Sequence, residues 1–339
     1  MGIDLPLIWF LIIGFGLMMY IIMDGFDLGI GILFPFICDR EERDLMVNTV
    51  APVWDGNETW LVLGGVGFLA AFPKAYAIIL TALYMPLILM LCGLIWRGVA
   101  FEFRFKAKDN HKPFWDKAFV WGSYIATFFQ GVSLGAFING FKLESQTQGL
   151  IFNGGSLDWC TPFSLFTGFS LVVAYALLGS TWLIMKTEGQ LQKKMIQIAK
   201  SNVVMLLMVI LIVSIWTPLS HEYIAKRWFS VPNLFFLSPF PLLAFVAVYF
   251  MLKKLRKETH AAPFILTLII IFLGYMGLAI SLWPNIIPPN ISIRDVAAPD
   301  QSMGFALVGA LAIIPFILVY TSWAYYVFRG KITSNEGYH

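Results

Sequence analysis

A chain of 339 residues that is 59% hydrophobic and only 13% charged, with a mean hydropathy of +0.77, has too little polar surface to cover a water-soluble globule. Its net charge of +3 is too small to imply nucleic acid as a partner. The cysteines Cys38, Cys92 and Cys160 show neither a disulfide framework nor metal-ligand spacing, so composition points to an all-α, polytopic membrane protein.

Apolar runs near the roughly 20 residues that a helix needs to cross a hydrocarbon core recur nine times. They lie near 7–36, 54–72, 75–98, 118–139, 163–185, 202–218, 234–252, 263–284 and 303–328, within one integral membrane domain over 1–339. The first run lacks a basic leader and a small-residue cleavage site and carries acidic residues near its end, so it reads as a retained membrane helix. Phe72-Pro73-Lys74 reads as a tight hairpin between the second and third. With the N-terminus outside, 18 of the 23 Lys and Arg fall in inner segments and 5 in outer ones. That asymmetry predicts nine spans, N-terminus out and C-terminus in.

The unusual chemistry sits between Met23 and Trp60. Met23-Asp24-Gly25-Phe26-Asp27-Leu28-Gly29 ends the first span, and a short charged loop leads to Trp54-Asp55-Gly56-Asn57-Glu58-Thr59-Trp60, which opens the second. Asp24 and Asp27 share a helix face one turn apart, about 25 Å below Leu7 at 1.5 Å per residue. Gly25 and Gly29 form a Gly-x-x-x-Gly pair that lets another backbone approach. Asp55 and Glu58 repeat the three-residue spacing, and the third span ends Trp96-Arg97-Gly98-Val99-Ala100-Phe101-Glu102-Phe103-Arg104. Seven ionisable groups on three helices are thus expected to converge on the inner membrane face. Such residues at a boundary can simply anchor helices or form ion pairs, for instance Asp55 with Arg97. Asp24 and Asp27, however, lie inside the apolar run, where a short side chain cannot snorkel. A chain of carboxylates at that depth suits a proton path opening to the cytoplasm.

The outer loops, 140–162 and 285–302, are rich in Gly and Asn or in Pro, and 221–229 reads either as a short interfacial helix or as a plain connector. His111, His221, His260 and His339 all fall in loops or the tail. Haem iron is most often held by His; Cys92 and the 14 methionines are weak substitutes, and the methionines suit helix packing. No Gly-rich phosphate loop, nucleophile elbow or metal-binding His pair is present.

Together with Thr181-Trp182-Leu183-Ile184-Met185-Lys186-Thr187-Glu188-Gly189 and Ser281-Leu282-Trp283-Pro284-Asn285-Ile286-Ile287-Pro288-Pro289, these strings make the chain resemble subunit II of the cytochrome bd quinol oxidases, closest to the branch that includes cyanide-insensitive enzymes. The resemblance runs from the first helix to the eighth. It implies a multi-pass subunit of a respiratory terminal oxidase in a bacterial cytoplasmic (inner) membrane, with a periplasmic N-terminus and a cytoplasmic C-terminus. Its partner would be a subunit I that carries haems b and d, or b only, and the quinol-oxidising loop. Oxygen would be reduced to water with electrons from quinol and protons from the cytoplasm, without pumping. Some relatives hold a quinone in subunit II, and a small single-helix accessory subunit is a further expected partner.

By the same resemblance the proton route uses Asp55 as its central carrier and Glu102 as an entry group. Asp24, Asp27 and Glu58 would be supporting carboxyls, with Arg97 holding a neighbouring one ionised. Some members carry Asp where Glu102 stands and an uncharged residue where Glu58 stands. Lys186 and Glu188 read mainly as helix-ending residues, and the Trp283-Pro284-Asn285 turn as structural. Two other readings compete. A proton-coupled secondary transporter would place its site near the midplane on broken, repeated helices, whereas this cluster lies at one edge. A purely structural subunit would use the carboxylates only as anchors.

Overall fold

The computed structural model describes residues 4–146, 149–257 and 261–332, and each of the nine apolar segments lies in helix. Helix α1 (Leu5–Leu33) is capped by Asp4, which accepts from the Leu7 amide at 3.3 Å, and ends in a single tight turn over Phe34–Phe36. The charged loop expected next contains a further helix, α2 (Arg40–Asn48). Asp39 caps it by accepting from the Glu41 and Glu42 amides, and those two acids suit the positive end of the helix dipole. Helices α3 (Trp54–Ala71) and α4 (Pro73–Lys106) meet in the predicted hairpin, with Pro73 at the first helical position, where it forfeits no hydrogen bond. Within α4, Leu83 leaves helical angles three residues before Pro86, whose ring disrupts the preceding turn.

Helix α5 (Lys112–Asn139) leads to an antiparallel hairpin of β1 (Leu143–Gln146) and β2 (Gly149–Phe152). Helix α6 (Pro162–Lys186) opens with a capping box between Thr161 and Ser164. Helix α7 (Gly189–Ser220) is followed by α8 (Glu222–Phe229), so of the two readings of 221–229 the short helix is the one found. Then come α9 (Asn233–Leu237), α10 (Pro239–Arg256), α11 (Ala262–Leu282), the hairpin β3 (Asn285–Ile287) with β4 (Ile291–Ser292), and α12 (Asp300–Val327).

Among the described residues seven segments are long and apolar enough by length and composition to cross a membrane, those starting at Leu5, Pro73, Pro162, Gly189, Asn233, Ala262 and Asp300. Helices α3 and α5 fall outside that set; α3 has only 18 residues and spends its first turns on Asp55, Asn57 and Glu58. Three helices also run well past their apolar runs: α4 continues to Lys106, while α5 begins at Lys112 and α7 at Gly189. Their charged extensions are held by ion pairs. Arg104 meets Asp44 at 2.7 Å and Asp116 at 2.6 Å, and Lys194 meets Glu42 at 2.6 Å.

Helix α1 is the hub, packed on α3, α5 and α6. A side chain at Gly29 would overlap the Tyr175 carbonyl, and Gly179 lies opposite it on α6, so the Gly-x-x-x-Gly pair seats α1 against protein as expected. Below this contact Phe26 stacks on Trp182, centroids 4.1 Å apart and planes 14° from parallel. The end of the bundle near Leu5 is closed by the Trp9 indole donating to the Met303 carbonyl (3.0 Å), the Ala298 amide donating to the Ala71 carbonyl (2.8 Å) and an Asp4–Arg294 pair (2.5 Å). Arg294 holds the Asp4 carboxyl below its usual range, as Lys142 does for Asp158 in the 140–162 loop.

Candidate functional site: a buried carboxylate cluster around Arg97

Near the other end of α1, one guanidinium gathers acids from three helices. Arg97 of α4, 1% exposed, donates through Nη2 to Asp24 Oδ1 of α1 at 2.6 Å and to Glu58 Oε1 of α3. Asp24 itself is fully buried. Charges so far from water persist only when paired and hydrogen-bonded, and Arg97 completes its surroundings with the Trp54 ring, 5.7 Å from its central carbon. One turn along α1, Asp27 (1% exposed) accepts from Asn57 Nδ2 at 2.7 Å. Asn57 also donates to the Met23 carbonyl at 3.3 Å, and its Oδ1 accepts from the Tyr325 hydroxyl at 2.8 Å.

Two carboxyl groups share one guanidinium and a third, Asp27, lies one turn away, which leaves the cluster short of positive charge. A proton is the smallest cation that makes up the difference. Among the described residues Asp24 Oδ2 and Asp27 Oδ1 are buried without a hydrogen-bond partner, so each is an oxygen on which a proton can ride.

The sequence-predicted residues divide here. Asp24, Asp27, Glu58 and Arg97 meet, whereas Asp55 and Glu102 are exposed, and Arg97 takes Asp24 and Glu58 as partners where an Asp55–Arg97 pair had been a possible reading. Asp55 heads a stripe of exposed residues on α3 that continues through Thr59, Val62, Val66 and Leu69. Glu102 ends the corresponding stripe on α4, after Ile88, Leu91, Ile95 and Val99. Sequence reasoning missed Asn57 and Tyr325 as members of the cluster. Asn57 lies inside the Trp54–Trp60 string and could have been found there; Tyr325, 268 residues further on, carries no local signal. It also missed a second group one level further out, where Asp116 accepts from Arg104 (2.6 Å) and Arg43 (3.2 Å).

The described residues offer few donors for a haem iron. Among the described residues His111 and His221 stand at helix ends, and no group of three or more His, Cys, Asp or Glu is placed to hold a metal; His260 and His339 lie outside the described residues. Cys38, Cys92 and Cys160 are all exposed. This donor set does not fit axial ligation of a haem within the bundle.

Three comparisons bear on the cluster. The family described as "Cytochrome bd terminal oxidase subunit II" matches residues 5–328. The chain is 26% identical to "Cytochrome bd-I ubiquinol oxidase subunit 2" of Escherichia coli strain K12 over 98% of its own length and 96% of the relative's. It is also 26% identical to "Cytochrome bd ubiquinol oxidase subunit 2" of Bacillus subtilis strain 168, over 97% of each. Among solved structures, a chain of the bd oxidase from Geobacillus thermodenitrificans shares the fold with a TM-score of 0.79 at 16% identity, over 96% of this chain and 99% of that one. These matches leave the transporter reading without support. A family match from Leu5 to Phe328 takes in every helix that contributes to the Arg97 cluster, and the chain belongs to the subunit II family of the cytochrome bd terminal oxidases.

Proposed function

We propose that this chain supplies protons to a bd-type quinol:oxygen oxidoreductase of a bacterial cytoplasmic membrane, paired with a haem-bearing subunit I whose assembly it supports. The observation that carries this reading is the Arg97–Asp24–Glu58 cluster, buried beside Asp27 at one end of a membrane bundle. In this reading all nine long helices span, with the N-terminus periplasmic and the C-terminus cytoplasmic. The haems, b and d or b only, belong to the partner and would carry the oxygen chemistry there. A bound quinone and a single-helix accessory subunit are given no residue of this chain.

The chain's own residues hold and move protons. Asp55 is the central carrier and Glu102 the entry group; both stand at the end of an exposed apolar stripe. A carboxylate facing lipid there would be costly, so that face is assigned to the partner, whose surface would close the path. Glu58, one turn from Asp55 on α3 and with its side chain 30% exposed, bridges inward. Asp24 and Asp27 hold the proton within the bundle, and Arg97 keeps their negative charge tolerable.

The test begins by purifying the chain from its native membranes in mild detergent. A second large hydrophobic chain and a reduced-minus-oxidised haem spectrum are expected to come with it. In that complex Asp55→Asn should lower oxygen consumption per haem by about tenfold or more. Untouched turnover and haem content would remove Asp55 from the path, and a colourless, monodisperse chain without a partner would overturn the oxidase reading.

A further inference from the structure

We propose that Tyr325 is a positioning residue for the carboxylate cluster, acting through Asn57 on Asp27, an inference that rests on the proton-path reading above. A carboxamide is asymmetric, since its oxygen only accepts and its nitrogen only donates. The Tyr325 hydroxyl lies 2.8 Å from Asn57 Oδ1 and donates to it, which turns Nδ2 toward Asp27 Oδ2 at 2.7 Å. Held that way, Asn57 presents Asp27 with a donor, the arrangement that suits a carboxylate which has given up its proton. An amide free to turn would offer Oδ1 instead, which accepts from a proton-bearing carboxyl and repels an ionised one. Tyr325 therefore sets how readily Asp27 passes its proton on.

The hydroxyl can do this only if α12 is held in place, and α12 buries little: among its residues only Met303 and Thr321 are buried. Its inner end is strapped down by Lys186. This lysine, 5% exposed, donates through Nζ to the Phe328 and Gly330 carbonyls just past the last turn of α12. The segment beyond is tied to the same spot, with the Ile332 amide on the Lys186 carbonyl at 3.0 Å and Lys331 on Glu188 at 2.9 Å. The Tyr325 ring meets Trp182 and Phe26 edge-on at 6.1 and 6.4 Å. One turn of α6 thus supplies both the ring that seats Tyr325 and the amine that anchors its helix.

Tyr325→Phe removes the hydroxyl and keeps the ring contacts. In the two-subunit complex, turnover per haem is expected to fall about fivefold, the factor for one lost hydrogen bond. The KM for quinol should stay as in the wild type, and the pH profile of turnover should be displaced. Lys186→Met, which loosens the strap but spares the hydroxyl, should displace the profile in the same sense. A Tyr325→Phe complex with wild-type turnover per haem and an unmoved pH profile, while Asp55→Asn is slow, would overturn this inference alone. Loss of complex with unaltered turnover per haem would also overturn it, because that is what a merely structural tyrosine gives. If Asp55→Asn is as fast as the wild type too, the proton-path reading itself fails, and this inference with it.

Discussion

Arg97 keeps 1% of its surface exposed, and a guanidinium can stay charged there because Asp24 and Glu58 lie against it. Removing it would strand two acids away from water, and breaking a buried pair in that way costs about 3–5 kcal/mol. Arg97→Met is expected to lower the thermal midpoint of the complex accordingly. The triple variant Arg97→Met, Asp24→Asn, Glu58→Gln should recover most of that stability, since both acids that Arg97 bonds are then neutral, yet stay slow in oxygen consumption per haem. A triple variant as unstable as the single one would mean that ring and stem packing, rather than charge, gives Arg97 its weight. The sequence makes the ingredients of this site visible, because Asp24 and Asp27 stand inside an apolar run and Arg97 and Glu58 at the edges of two others. Which acid the arginine chooses is not visible. Asp55 and Glu58 are three residues apart, and only the rotation of α3 about its axis decides that Glu58 turns inward while Asp55 faces out.

At the scale of helices, hydropathy locates each long segment because lipid and protein both demand apolar residues along roughly 20 positions. It fails at the ends. The first 13 residues of α7, Gly189–Ser201, are helical without being apolar, and residues 40–48 form α2 in a charged stretch, where Asp39 caps the start and only Met46 and Val47 near the end are buried in the core. That α1 packs closely on protein was legible from Gly25 and Gly29, although α6 as the partner was not, and this contact gives a sharp contrast between glycines. Gly29→Ala would drive a methyl into the Tyr175 carbonyl. Overpacking of this kind costs about 1–3 kcal/mol, occasionally more, and the thermal midpoint of the complex should fall. Gly274 on α11 has nothing within 4 Å of where a Cβ would stand, so Gly274→Ala should be neutral or slightly stabilising, by up to about 1 kcal/mol of helix propensity. Equal losses from the two substitutions would show that α1 and α6 have room to separate.

For the molecule as a whole, the division of charge and the ties at the two ends speak for one orientation. Asp4, Arg294 and the 71–73 turn close one end, and Arg43, Arg104, Asp116 and Lys194 crowd the other. If the first end is periplasmic, the three native cysteines become a direct reporter of topology. Cys160 precedes α6 on the side of the β1–β2 hairpin, Cys38 precedes α2 on the side of the Arg104 group, and both are exposed. A membrane-impermeant maleimide added to intact spheroplasts should label Cys160 and spare Cys38, with Cys38 reacting only after permeabilisation. Cys92 lies in the middle of α4, where a charged reagent has no access, and should stay unlabelled in both cases. The opposite pattern at Cys38 and Cys160 would invert the molecule and put the mouth of the carboxylate path on the periplasmic side. Labelling of both cysteines from one side would require an even number of crossings between them, and one of α3, α4 and α5 would then not span. Because α3 and α5 are the two long helices whose composition alone does not mark them as membrane-crossing, this one experiment tests the orientation and whether either of them alone fails to span.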